Sequence, residues 1–119
     1  MNKAQAIHSF WSGFGIPAYD ETTVPDDAQM PYITYNVVTG ALDDALLMSG
    51  SIWYRDTSWA AVTAKADEIA DALYMTIPID GGGVYLTQGT PFAQRMSDPA
   101  DDSIRRIYIN LSAEFITLT

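Results

Sequence analysis

The closing stretch of the chain constrains its fold most. Ile107, Ile109, Leu111, Ala113 and Phe115 alternate with Arg106, Tyr108, Asn110, Ser112 and Glu114. Strict alternation over ten residues describes a strand with one face in a core and the other in water. A strand this long needs pairing partners and an apolar layer on its dry side, so the rest of the chain has to supply both.

Upstream segments offer them. Residues 32–38 (YITYNVV) and 51–55 (SIWYR) are rich in β-branched and aromatic residues and read as an antiparallel pair, with Ile33, Tyr35 and Val37 sharing one face. Residues 84–88 and 92–96 read as two further strands pairing across a Gly89-Thr90-Pro91 turn, and Asp80 through Gly83 as another turn. Two helices complete the layer. Asn2 followed by Gln5 is a capping pair, after which Ile7, Phe10, Trp11 and Phe14 recur at helical spacing until Gly13, Gly15 and Pro17 end the helix. Asp56, Thr57 and Ser58 precede Trp59, Val62, Ala66, Ile69 and Leu73, a second amphipathic stripe expected to end before Pro78. The expected fold class is α+β: a mostly antiparallel β-sheet with two α-helices packed on one face. With 119 residues and 48% apolar content, residues 1–119 form one domain.

Residues that carry chemistry are sparse. Cysteine is absent, which excludes disulfides, thiolate catalysis and cysteine-ligated zinc. His8 is the only histidine, and it lies beside the apolar stripe as an ordinary boundary residue. Gly81 to Gly83 lead into a strand without the Lys-Ser/Thr of a phosphate loop. Asp98, Asp101 and Asp102 lack the spacing of a calcium loop, and Asp26-Asp27 and Asp43-Asp44 are adjacent pairs that point apart on strands. No enzyme activity, cofactor or metal site is expected. No apolar run approaches a membrane span, and the N-terminus does not read as a signal peptide.

The net charge of −9 disfavours binding to phosphate backbones. It suits a solubilised surface, a surface that DNA passes without sticking, or a mimic of DNA. What stands out instead is apolar. Between Gly40 and Gly50 the chain places Leu42, Asp43, Asp44, Leu46, Leu47 and Met48. Either the flanking strands run longer or a short helix covers the core, or this segment is a projecting arm that docks on a neighbour. Arg95, Arg105 and Arg106 supply half of the six basic residues. They are candidates for contact with the acidic surface of another copy, or for local pairing with Asp98, Asp101 and Asp102.

The order and length of PYITYNVV, SIWYRDTSWAAVTAKADEIADAL, the Gly-rich turn and RRIYINLSAEF resemble the tail terminator (tail completion) proteins of long-tailed bacteriophages. The resemblance implies a virion protein at the head-proximal end of the tail, assembled in the host cytoplasm. It would form a ring, typically a hexamer, that caps the tail tube protein, stops its polymerisation and meets the head connector. DNA would pass through the lumen without specific binding. The family's contact loop between the early strands corresponds to residues 40–50. A head-closure or head–tail adaptor protein of the same particle, or a small acidic DNA-mimic inhibitor, are the alternatives.

Overall fold

The structure is a computed structural model that describes residues 2–37 and 45–117, except for the side chains of residues 45, 46 and 117. In chain order the elements are α1 (Lys3–Trp11), a 3₁₀ turn (Ser12–Phe14), β1 (Ala18–Asp20), β2 (Tyr32–Tyr35) and β3 (Ala45–Arg55). They continue with α2 (Ala60–Asp71), β4 (Met75–Ile79), β5 (Gly82–Met96) and β6 (Ile104–Thr117). The six strands form one sheet in the order β1-β2-β3-β6-β5-β4, antiparallel except for the parallel β1–β2 pair. The fold is α+β, as the periodicities predict.

The alternating stretch is β6, at the middle of the sheet. Its apolar residues Ile107, Ile109, Leu111, Ala113 and Phe115 are all buried. Against them pack Ile7, Phe10 and Trp11 of α1 and Val62, Ala66 and Ile69 of α2, so both helices cover the same face. α1 starts where the capping pair predicts. The Gln5 amide donates to Asn2 Oδ1 at 2.8 Å and the Asn2 amide donates to Gln5 Oε1 at 2.9 Å. Gly15 ends the 3₁₀ turn at φ +79°, a left-handed conformation that costs glycine nothing.

Several boundaries differ from expectation. β3 begins at Ala45 rather than Ser51, because β6 offers it partners from Ile104 to Glu114. β2 stops at Tyr35, so Val37 lies outside it. α2 ends at Asp71, and residues 75–79 form β4, a strand the helical reading of that region obscured. Pro78 is tolerated there because β4 is the sheet's edge, where a missing N–H breaks no ladder. Gly82 and Gly83 belong to β5 rather than to a turn. Residues 84–88 and 92–96 do not fold back on each other. They are one strand, and both halves pair with β6 across a register shift between Gln88 and Ala93. β6 is long enough to pair with both halves of β5, from Gly82 to Gln88 and from Ala93 to Met96.

Candidate functional site

The helices cover one face of the sheet, and among the described residues no helix covers the other, here called the open face. The residues singled out from the sequence divide between the two. Leu42, Asp43 and Asp44 lie outside the described residues. Leu46 pairs in register with Ala113. Met48 points into the core and is 1% exposed, whereas Leu47, its neighbour on the strand, is 75% exposed on the open face. Part of the apolar segment is therefore a longer strand, with Leu47 left outside.

The arginines also split. Arg105 and Arg106 are adjacent on β6 and so face opposite ways. Arg105 lies on the helix side. Its guanidinium is 5.4 Å from the Trp59 ring centroid, and Arg95 sits over the same ring at 5.0 Å. Arg105 also donates to the backbone carbonyls of Asp102 and, at 3.2 Å, Thr57. These two arginines clasp the first turn of α2 to the sheet. The expected partner of the acidic loop is a different residue: Arg55 Nη1 meets Asp101 Oδ2 at 2.6 Å. Asp98 Oδ1 accepts from the Ala100 amide, closing the loop on itself.

Arg106 is the one of the three that lies on the face away from the helices. It lies in a row running straight across the open face, Tyr32–Trp53–Arg106, set by the register of β2, β3 and β6. Its guanidinium sits 4.6 Å from the Trp53 centroid and 5.9 Å from that of Tyr108. Its Nε donates to Ser51 Oγ at 3.0 Å. Trp53 is fixed in turn, donating from Nε1 to Thr34 Oγ1 at 2.9 Å, and Tyr32 tilts against it at 6.3 Å. A shallow depression of about 320 Å³ opens over this row, with Glu21 and Val24 at its margin. Arg106 makes no ion pair among the described residues. A guanidinium whose plane is already held by rings and whose Nε is already bonded presents its two remaining nitrogens in a fixed fork, the geometry that takes a carboxylate in two contacts. Trp53 and Tyr32 escaped the sequence reading because their meeting with Arg106 depends on strand pairing between residues 53 apart in the chain.

His8 has a more specific setting than an ordinary boundary position. His8 Nδ1 and Tyr35 Oη are 2.6 Å apart, and Nε2 lies 3.2 Å from Ser12 Oγ. Burial, with a smaller contribution from the charge of Asp20, pushes the Tyr35 hydroxyl pKa upward. The trio ties α1 to β2. It lies at the C-terminal end of α1, where the helix dipole is negative and opposes an oxyanion. Among the described residues no group of three or more His, Asp or Glu is placed to hold a metal ion, and no helix is long and apolar enough to cross a membrane. A scan against protein-family models finds no match for this sequence, and a search of curated proteins finds no relative.

Proposed function

We propose that this chain is a structural assembly protein, a tail terminator of a long-tailed bacteriophage. It acts through contacts and not through catalysis. As a ring, probed first for six copies, it caps the tail tube, stops tube growth and offers a surface to the head connector. The observation that carries the reading is the open sheet face with its pre-aligned Arg106–Trp53 row. A sheet left uncovered on one side, with an unpaired guanidinium held ready between rings, suits a partner surface better than a substrate. Element order and chain length add support through the resemblance. Many copies of one modest patch, presented with closed symmetry, then sum to firm binding. Carboxylates are concentrated in loops and on α2 instead of arrayed along the open face, which weighs against a DNA mimic.

Light scattering coupled to size exclusion, negative-stain microscopy and capture on purified tail tubes test the proposal. Rings that bind tube ends are expected. A monomer at all concentrations that ignores tubes refutes the reading, and rings that bind only the head connector move the chain to head closure.

A further inference from the structure

The row across the open face runs one strand beyond the three residues already placed in it. Met96 of β5 pairs with Arg106, so four strands set Tyr32, Trp53, Arg106 and Met96 side by side. Met96 is 38% exposed. Two depressions border the Trp53–Arg106 pair. The one of about 320 Å³ reaches over β2, and a smaller one of about 120 Å³ reaches over Met96 and Pro99. Tryptophan, tyrosine, arginine and methionine are the residue types that protein interfaces concentrate.

The chain treats the two arginines of this face differently. Arg55 follows Trp53 on β3 by two residues, hence on the same face. Its Nη1 meets Asp101 Oδ2 at 2.6 Å and donates to Ser103 Oγ at 2.7 Å. Arg106 has a hydrogen-bond partner only at Nε, the Ser51 hydroxyl at 3.0 Å. Among the described residues no acceptor meets either of its terminal nitrogens, in a chain with fifteen acids against six bases. A carboxylate from outside finds two donors already aligned, with little side-chain freedom left to lose. The surroundings select against phosphate. Glu21 lines the larger depression and Asp98 the smaller, and both lysines, Lys3 and Lys65, sit on the helices behind the sheet. A doubly charged group meets about twice the repulsion from those acids that a carboxylate does. The net charge of −9 likewise opposes a second copy.

We propose that the Trp53–Arg106 pair is the docking point for a single glutamate or aspartate side chain of a different protein, presented between apolar residues. The carboxylate takes the two terminal nitrogens of Arg106, and its apolar neighbours lie on Trp53 and Met96. The proposal rests on the assembly reading above and names the chemistry of the partner at that face.

The probe is acetyl-Leu-Glu-Leu-amide, with acetyl-Leu-Gln-Leu-amide and inorganic phosphate as comparisons. Each is titrated into the full chain and followed by the NMR signals of the Arg106 Nε–H and the Trp53 indole N–H. Both signals should shift with the Glu peptide, which should bind about tenfold tighter than the Gln peptide. Arg106→Lys keeps the charge but loses the fork, and should remove most of that advantage; circular dichroism melts verify its fold. Equal affinity for the two peptides, binding unchanged in Arg106→Lys, no shift at either signal, or phosphate bound as tightly as the Glu peptide each overturn the carboxylate site. In assembly, Arg106→Lys should still form rings while capturing tail tubes about tenfold more weakly. Rings lost in Arg106→Lys would make the carboxylate a second copy's and overturn its assignment to a different protein. Undiminished tube capture overturns the docking point and leaves the ring reading standing. A monomeric wild type that ignores tubes removes the ring reading, while the peptide titration still decides the carboxylate site.

Discussion

Gly50 is the position at which the packing makes its sharpest demand. It lies in β3 between Tyr35 and Ile109, facing the helices. A Cβ placed there would stand 2.9 Å from Trp11 Cη2, 3.1 Å from Trp11 Cζ2 and 3.1 Å from the Thr34 carbonyl oxygen. Neither neighbour can retreat cheaply. Trp11 is fully buried, stacked on Tyr35 at an 8° interplanar angle and met edge-on by Phe10. Thr34 is held by its pairing with Ser51. Replacing glycine by alanine inside a strand would by itself gain about 0.5–1 kcal/mol through lost chain freedom. Overpacking a rigid core costs about 1–3 kcal/mol. Overpacking wins, so Gly50→Ala should destabilise by about 1–2 kcal/mol, a urea midpoint lower by roughly 1 M at a typical slope for a domain this size. Tryptophan fluorescence and far-ultraviolet circular dichroism should move together. Gly13→Ala is the control, since nothing lies within 4 Å of its Cβ, and it should change stability by less than about 0.5 kcal/mol. Equal stability for Gly50→Ala and wild type would refute the close-approach argument.

Lys65 Nζ donates to the Phe14 carbonyl at 2.7 Å and pairs with Glu68 at 3.0 Å. Lys65→Met keeps the stem but orphans that carbonyl and should cost about 1 kcal/mol in chemical denaturation, against a few tenths for Glu68→Gln. The Ser103 hydroxyl, then Arg55 and the Ser103 amide, hold the Asp101 carboxyl well below the usual carboxylate range. A depressed folded pKa contributes stability that is present above the unfolded value and lost as pH falls toward the folded one. Asp101→Asn should therefore lower the melting temperature at neutral pH, with the gap narrowing steadily below about pH 4; a gap constant down to pH 2 contradicts the assignment. Tyr74→Gly relieves a left-handed cost of about 1–2 kcal/mol while adding about 0.5–1 kcal/mol of chain entropy and losing the ring's covered part. Stability should stay within about 1 kcal/mol of wild type; a loss of several kcal/mol would mean that Tyr74 is a core residue.

The elements legible from sequence are those whose signal is local. The capping pair and the 3.6-residue stripe placed α1, the Val62–Ala66–Ile69 stripe placed α2, and two-residue alternation placed β6. What stayed hidden depends on partners distant in the chain. β4 holds five residues, one of them Pro78, and exists because β5 offers an edge to pair with. β5 looked like two strands because Gly89 and Pro91 mark a turn. In the fold they mark a register shift, with Gly89 pressed against the Asn110 backbone and the Pro91 carbonyl taken by Asn110 Nδ2. The same limit applies to the site. Three arginines stood out from the sequence, but only strand register assigns Arg106 to Trp53, and only the docking of α2 assigns Arg105 to Trp59.

Those assignments also show how the basic residues of an acidic chain are used. Fifteen acidic residues face six basic ones. Arg55 and Lys65 meet carboxylates, at Asp101 and Glu68. Three arginines lie over rings: Arg95 and Arg105 on Trp59, and Arg106 on Trp53. A cation over a ring is stabilised by the ring's quadrupole without neutralising an acid. The acid excess therefore stays as a field over α2 and the loops, which repels nucleic acid and other copies of the chain alike. That repulsion is weakest where the described surface is uncharged, at the α1–β4 groove. It reverses at Arg106, where a pre-oriented guanidinium invites a carboxylate. Aromatic rings that hold arginines without cancelling charge thus leave the acid excess of the chain in place while fixing where its guanidinium groups point.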